Sequence, residues 1–184
     1  MASKKLAHAI RTAAIYHNGQ TRKGKDIPYI VHPVEVAMIL QDNGMEEDII
    51  IAGLLHDMLE DTDMTEKELQ EKFGSRVLEL VKGASEKLEN RDNTSWEERK
   101  QHTIDYIKTA DQDVQYIACA DKLSNVKSMV IDYEEIGDKL WERFNRGYEK
   151  QKWYYENMVD SLQVLESMEM YEEFKIVVNK LFCG

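Results

Sequence analysis

Residues 49–61 read IIIAGLLHDMLED, an apolar run that ends in a cluster of polar side chains. The run from Ile49 to Leu55 is apolar almost all the way round a helix, which predicts a central, buried helix over Ile49–Glu60. His56 and Asp57 follow this run directly. A histidine and an aspartate are costly to bury unless they are paired or bound to a metal, so they form the first candidate site.

On a continuous helix, the polar side chains of this stretch would share one side. His56 and Glu60 are four residues apart, and so are Asp57 and Asp61. A spacing of four places two side chains one above the other on a helix face. Three carboxylates so close together would repel one another. A divalent cation would remove that repulsion, and a raised pKa of one carboxyl group is the alternative.

Two further segments supply matching groups. His32 lies just before a predicted helix start, and Asp121 lies in a second, mostly apolar helix predicted over Asp113–Asp132. Asn125 and Ser128 follow Asp121 by four and seven residues, so these three side chains can share a face. Two histidines and two aspartates suit a hard-to-borderline divalent ion such as Mn²⁺, with water in its open positions.

Helical periodicity recurs along most of the chain, and strand signals are weak. Two capping boxes predict helix starts, and they are formed by Thr65 with Glu68 and by Ser95 with Glu98. A large helical block is predicted over residues 140–168, followed by a short amphipathic tail helix. The sum is an all-α fold, a bundle of roughly eight to ten helices that occupies residues 1–184 as a single domain.

Two segments lack periodicity and are predicted as loops. Residues 18–33 contain two glycines and two prolines together with Arg22, Lys23 and Lys25. The cations make this segment a candidate phosphate-facing loop. Residues 83–93 are polar and are predicted to form a second, mobile loop.

Composition limits the classes of function. The formal net charge of −11 argues against non-specific nucleic-acid binding, although a small phosphorylated ligand needs only a local cluster of cations or a metal. No apolar run approaches the ~20 residues that span a bilayer, and no signal peptide is evident. Cys119 and Cys183 form neither a disulfide framework nor a thiolate metal site. We expect a cytoplasmic protein without a membrane partner, and its oligomeric state stays open.

Three segments carry a resemblance to a known family. Residues 19–33, residues 52–62 (AGLLHDMLEDT) and residues 120–125 (ADKLSN) resemble, in order and spacing, the motifs of the HD superfamily. They resemble more specifically the hydrolase domain of the RelA/SpoT family, over about residues 6–130. Long members carry a synthetase domain after the hydrolase, for which this chain has no room. The chain is therefore more similar to the stand-alone small alarmone hydrolases.

This resemblance implies a reaction and a set of roles. The reaction is removal of the 3′-pyrophosphate of (p)ppGpp, which gives GDP or GTP and pyrophosphate. The implied cofactor is one Mn²⁺ ion, and the implied partner is a small phosphorylated guanine nucleotide. The implied metal ligands are His32, His56, Asp57 and Asp121. Glu60 and Asp61 would position or deprotonate the attacking water.

The resemblance also suggests substrate contacts. Arg22 and Lys23 would meet the phosphates or the base, and Asn125 would meet the ribose or guanine region. Ser128 shares the face of Asn125 and is a further candidate. The remaining candidates lie in two segments that loosely resemble substrate-side segments of the small hydrolases; they are Arg99, Lys100 and Arg146.

Other interpretations stay open. Taken singly, His32 could be an ordinary buried histidine, and Glu60 with Asp61 a solvated helix end. One alternative function is an HD-type phosphatase or phosphodiesterase that acts on another nucleotide, such as NADPH. A second is a non-catalytic alarmone sensor, and a third is a helical interaction domain. The joint occurrence of the polar residues, on two apolar helices and in this order, favours the hydrolase.

Overall fold

The computed structural model of the protein describes residues 3–85 and 94–183, and it is all-α over these ranges, as the sequence predicts. No strand occurs in the described part, where an isolated β-bridge joins Thr21 to Pro28. The helices are α1 (Lys4–Tyr16), α2 (Val31–Asp42), α3 (Glu47–Leu54), α4 (Met58–Asp61), α5 (Glu66–Phe73), α6 (Ser75–Ala84), α7 (Trp96–Ile107), α8 (Gln112–Ile136), α9 (Tyr148–Ser161) and α10 (Glu169–Phe182). Two 3-10 helices cover Gly137–Arg143 and Gln163–Leu165.

Helix α3 lies at the centre of the bundle, as its apolar sequence predicts. It packs against α1, α2, α6 and α8, and Ile51 and Leu54 are fully buried. The approach of α2 is so close that a Cβ at Gly53 would collide with Leu40. Burial of a Leu or Ile side chain stabilises a fold by about 1.5–3 kcal/mol, so α3 is a main anchor of the core.

The predicted helix over Ile49–Glu60 is wrong in one respect, because it breaks before the site. Helix α3 ends at Leu54, residues 55–57 form a turn, and α4 begins at Met58. In a continuous helix, the carbonyl of Gly53 would accept the backbone N–H of residue 57. Here it accepts a hydrogen bond from His56 Nδ1 over 2.7 Å. The side chain competes with the helix ladder, so His56 does not stack on Glu60 along one helix.

Helix α8 crosses the whole bundle. It extends beyond the predicted Asp113–Asp132 at both ends and packs against α2, α3, α6 and α10. Its middle residues, Cys119, Ala120 and Leu123, are fully buried. The backbone of Asp121 is therefore held rigidly in the core.

The C-terminal part differs from its prediction. The block over residues 140–168 is divided into a 3-10 helix, α9 and a second 3-10 helix. The tail helix α10 has 14 residues and is not short. Its apolar residues Phe174 and Val178 are almost fully buried, and α10 packs along α8. Burial of this apolar face against α8 sustains the longer helix.

Both predicted capping boxes are present, at the starts of α5 and α7. The loop predicted over residues 83–93 begins later, because Gly83 and Ala84 belong to α6. A Cβ at Gly83 would lie 2.6 Å from Val114 Cγ2, so glycine allows α6 and α8 to approach closely. The rest of that predicted loop, residues 86–93, lies outside the described residues. Within the described ranges, no helix has both the length and the apolar character to cross a membrane.

Candidate metal and nucleotide site

Four of the predicted site residues converge where the start of α2, the 55–57 turn and α8 meet. His32 Nε2 lies 3.1 Å from Asp121 Oδ1 and 3.9 Å from Asp57 Oδ2. His56 Nε2 lies 3.1 Å from Asp57 Oδ2 and 3.7 Å from Asp121 Oδ1. Atoms that bind one divalent ion at about 2.0–2.2 Å are themselves about 3–4 Å apart, so these distances fit a shared metal ion.

The histidine atoms support the same conclusion. His56 Nδ1 bonds to the carbonyl of Gly53, which can only accept, so Nδ1 carries the hydrogen and Nε2 offers a lone pair in the neutral ring. His56 Nε2 is buried and makes no hydrogen bond. A buried polar atom without a partner is rare and calls for an explanation. A divalent cation beside two imidazoles and two carboxylates supplies one.

Charge in the site is strongly coupled. Burial opposes protonation of His56, but the carboxylates of Asp57 and Asp121 outweigh burial and raise its pKa to about 9. Burial lowers the pKa of His32, and here the carboxylates do not outweigh it. Burial would raise the pKa of Asp57, yet the neighbouring His56 holds that pKa well below its usual range. The carboxylates are therefore ionised, and without a metal the imidazolium of His56 offsets part of their charge.

Tyr29 is a residue of the site that the sequence did not single out, although it lies within the motif segment 19–33. Its hydroxyl donates to Asp57 Oδ2 over 2.5 Å. Burial and the charge of Asp57 raise the pKa of Tyr29 far above its ordinary value, so the phenol stays protonated and remains a donor. The centroid of its ring also lies 5.0 Å from that of the His17 ring, with the two planes tilted by 40°. Tyr29 thus fixes the orientation of the Asp57 carboxylate.

Asp121 is held by its own helix. Lys122 Nζ lies 2.6 Å from Asp121 Oδ2, and Asn125 Nδ2 donates to Asp121 Oδ1 over 2.5 Å. Arg22 Nη2 in turn donates to Asn125 Oδ1 over 2.8 Å. A continuous polar chain therefore links Arg22 to the carboxylate of Asp121.

The acidic pair lies on α4 at the edge of the same site. Glu60 is half-buried and Asp61 is exposed, and both line the cleft beside His56 and Asp57. The side chain of Gln20 donates to the carbonyl of Asp61 over 2.7 Å and ties the end of α4 to the segment before α2. Met58 of α4 is buried in the core, whereas Glu60 and Asp61 at the end of the same short helix face the cleft.

The cleft has a volume of about 270 Å³, enough for part of a nucleotide. Among the described residues, three lysines line it; Lys100 was predicted as a substrate contact, whereas Lys82 and Lys122 were not. Aromatic side chains complete the wall, and Lys100 Nζ lies 5.3 Å from the ring centroid of Tyr154. Cations beside the acidic metal ligands suit a phosphorylated ligand. Lys82 lies in no motif, and Lys122, although it lies within residues 120–125, gave no signal of its own for a substrate contact.

The predicted substrate residues fall into three places. Asn125 and Lys100 line the cleft, whereas Arg22, Lys23 and Ser128 line an adjoining cavity of about 170 Å³ that shares Asn125 with it. Arg99 lies on α7 and does not border the cleft. Arg146 also lies away from it.

Arg146 interacts with an acidic side chain instead, since its Nε lies 3.1 Å from Glu97 Oε1 on the surface. The residues around Arg22 and Lys23, 18–30, are called the cation loop below. Lys25 of this loop forms an ion pair with the buried Asp132, which also lies 3.1 Å from Arg143 Nη1. Asp132 therefore anchors the loop to α8.

Comparison with known proteins identifies a family that matches most of the chain. Residues 9–144 match the HD domain family. A guanosine-3′,5′-bis(diphosphate) 3′-pyrophosphohydrolase of Aquifex aeolicus is 36% identical over 140 residues, which are 75% of this chain and 20% of that protein. The bifunctional (p)ppGpp synthase/hydrolase SpoT of Escherichia coli is 36% identical over 128 residues, 68% of this chain and 18% of that protein. The chain thus spans about a fifth of the length of these curated relatives.

Two solved structures share the fold over most of their length. The crystal structure of lmo0812 from Listeria monocytogenes EGD-e is 35% identical, with a TM-score of 0.75, and the match covers 83% of this chain and 99% of that chain. The structure of a metazoan ortholog of SpoT, described as hydrolysing ppGpp, matches with a TM-score of 0.76 at 23% identity. That match covers 99% of this chain and 96% of the ortholog.

Proposed function

The chain belongs to the HD domain family, and on that premise we propose that it is a metal-dependent hydrolase that removes the 3′-pyrophosphate of (p)ppGpp. One observation carries the proposal. His32 and His56 turn their Nε2 atoms toward the carboxylates of Asp57 and Asp121, within 3.1–3.9 Å, in the wall of a cleft. The curated relatives whose names describe hydrolysis of this nucleotide support the choice of substrate.

The proposed cofactor is one Mn²⁺ ion, and the residues that would hold it are His32, His56, Asp57 and Asp121. Mixed imidazole and carboxylate ligands accept this ion together with water. When bound, such an ion makes water a usable nucleophile at neutral pH and offsets negative charge on phosphate oxygens. Tyr29 would orient Asp57 for this role, and Asn125 would orient Asp121.

The acidic pair supplies the proton acceptor in this proposal. Glu60 or Asp61 takes a proton from the attacking water, whose oxygen forms a bond to the phosphorus attached to the 3′ oxygen. The bond between that phosphorus and the 3′ oxygen breaks, and the 3′ oxygen takes up a proton. The products are pyrophosphate and GDP or GTP.

Cations of the cleft and of the cation loop would hold the substrate. Lys100 and Lys122 border the cleft, where each can offset charge on the phosphate oxygens. Arg22 and Lys23 border the adjoining cavity, which continues from the cleft past Asn125. A nucleotide with phosphates on both its 3′ and its 5′ oxygen needs two groups of cations, and the cleft and the adjoining cavity supply one group each.

The experiment is turnover of ppGpp by the purified protein with Mn²⁺, with and without a chelator, read as pyrophosphate and GDP by chromatography. We expect both products, in equal amounts, and their loss on chelation. NADPH is offered in parallel as the matched competing substrate. Release of phosphate from NADPH, with ppGpp left intact, would show that NADPH and not ppGpp is the substrate. Stabilisation of the protein by ppGpp without any product would instead indicate a sensor.

A further inference from the structure

Two hydrogen bonds lead from His32 away from the cleft. His32 Nδ1 lies 2.9 Å from Ser124 Oγ, and Ser124 Oγ donates to Glu35 Oε2 over 2.8 Å. Ser124 is 1% exposed, whereas Glu35 is exposed on α2, one helical turn after His32. A buried ring nitrogen is thus connected, through one buried hydroxyl, to a carboxylate at the surface.

The number of available protons sets the direction of both hydrogen bonds. An ionised carboxylate only accepts, so the single hydroxyl proton of Ser124 is committed to Glu35. Ser124 Oγ then offers His32 only a lone pair, and His32 Nδ1 must carry the hydrogen of this pair. With the hydrogen on Nδ1, Nε2 of the neutral ring keeps its lone pair 3.1 Å from Asp121 Oδ1, so the Ser124–Glu35 pair opposes the hydrogen bond that an Nε2–H would otherwise donate to Asp121. Neutral imidazole binds metal ions through such a lone pair.

The two histidine rings are oriented by different means. His56 donates to a backbone carbonyl, that of Gly53, which no side-chain substitution removes. His32 depends on two side chains, and neither borders the catalytic cleft. Ser124 and Glu35 line a separate cavity of about 370 Å³, which His32 also borders. Loss of Glu35 would free the Ser124 hydroxyl to donate to His32 Nδ1, which requires the other tautomer, with hydrogen on Nε2.

We propose that Glu35, acting through Ser124, is a positioning residue that fixes His32 in the tautomer with hydrogen on Nδ1 and so presents Nε2 to the metal. The proposal rests on the metal-binding role given above to His32. It concerns the ring before metal or substrate binds, so it can be tested without turnover. Removal of a group that hydrogen-bonds to a metal-ligating histidine typically weakens metal binding by about 10- to 100-fold.

The first measurement is the tautomer of His32 in the metal-free protein at neutral pH, by ¹⁵N NMR of the ring nitrogens, followed by titration with Mn²⁺ alone. The wild type should carry hydrogen on Nδ1. Glu35→Ala and Ser124→Ala should shift His32 toward hydrogen on Nε2 and weaken Mn²⁺ binding by about 10- to 100-fold. Glu35 is exposed, so Glu35→Ala tests the idea even if Ser124→Ala fails to fold.

Two control variants separate positioning from a general effect of charge. Glu35→Gln keeps an oxygen that accepts from Ser124 and should restore both the tautomer and the affinity. Asp42→Ala removes another exposed carboxylate of α2 that lines the same cavity, and should leave both unchanged.

The proposal would be overturned if His32 of the wild type carried its hydrogen on Nε2. It would also be overturned if Glu35→Ala left both the tautomer of His32 and the affinity for Mn²⁺ unchanged. A wild type with the expected tautomer and tight Mn²⁺ binding, but without turnover of ppGpp, would overturn the proposed reaction alone.

Discussion

The metal-facing side chains and the cation loop are held in different ways. His56 and Asp57, two of the proposed metal ligands, each make a short hydrogen bond, of 2.7 Å to the Gly53 carbonyl and of 2.5 Å from the Tyr29 hydroxyl. In the cation loop, Arg22 and Lys23 lie 5.8 and 5.6 Å from aromatic ring centroids. Packing of a cation over a ring tolerates movement that a short hydrogen bond does not. The two site side chains are therefore held by short hydrogen bonds, one of them from Tyr29 of the loop itself, whereas Lys23 packs over the ring of Phe144 and can shift toward a substrate.

Removal of a metal-facing carboxylate should have the largest effect. Asp57→Ala takes away a carboxylate that lies beside both histidines, and we expect loss of bound Mn²⁺ and a fall in kcat/KM of roughly 10³-fold or more. The measurement is metal content by elemental analysis together with turnover of ppGpp. Asp63→Ala, an exposed carboxylate just beyond α4, is the matched control and should behave as wild type. Intact Mn²⁺ in Asp57→Ala would remove this residue from the ligand set.

The next largest effect separates chemistry from metal binding. Glu60→Gln should keep Mn²⁺ and lose about 10²- to 10⁴-fold in kcat, because an amide cannot accept the proton of the attacking water. Asp61→Asn, measured alongside, identifies which carboxylate is the base by the larger loss. Near-normal kcat in both variants would show that neither residue takes the proton.

The pH dependence of stability should distinguish the metal-free from the metal-bound protein. The pKa of His56 is about 9 in the folded state and about 6.5 in an unfolded chain. Its contribution to stability is fully present below about pH 6.5 and is lost as pH rises toward about 9, with a slope of at most about 1.4 kcal/mol per pH unit. With Mn²⁺ bound, the metal takes the place of that proton and the loss should disappear.

Melting temperatures measured over that pH range, with chelator and with Mn²⁺, test this expectation. His56→Gln is the control, and its metal-free profile should be flatter than that of the wild type. Parallel profiles for the chelated and the Mn²⁺-bound wild type would contradict a shared site for proton and metal.

The smallest effects should come from substitution of the predicted cations. Their size should depend on whether the cation lines the site or lies on the surface. Arg22→Ala should raise KM for ppGpp by about tenfold with little change in kcat, because a charge-assisted contact is lost. Arg146→Ala should change kcat/KM by less than about twofold, since Arg146 pairs with Glu97 at the surface. Steady-state kinetics on both variants decide the order. A larger effect of Arg146→Ala would mean that α9 and the residues before it close over the substrate.

Part of the site could be predicted because local chemistry makes it visible. His56 and Asp57 stand out by their position after an apolar run, and Asp121 by its position within a buried helix. Burial of such groups is costly without a partner, so the sequence alone indicates that they are paired or bound to a metal. Capping boxes were equally visible, because a cap depends on two residues three positions apart.

Other features could not be predicted, because they depend on pairs that are distant in the chain. Tyr29 bonds to Asp57 across 28 positions, and Ser124 joins His32 to Glu35 across about 90. Lys82 carries no pattern that separates it from other surface lysines, whereas Lys100 was predicted only through the family resemblance. The break after α3 was missed because helical periodicity continues through it, while the side chain of His56 competes for a backbone carbonyl.

The sequence by itself determined the all-α class, the central position of α3 and the residue types available for a metal. These follow from periodicity and from the cost of burying polar groups, which are local properties of the chain. Only the tertiary structure decided which atoms meet, which histidine nitrogen faces the carboxylates and which cations reach the cleft. Those outcomes depend on distances of a few ångströms between helices that are far apart in sequence, and helix packing alone sets such distances.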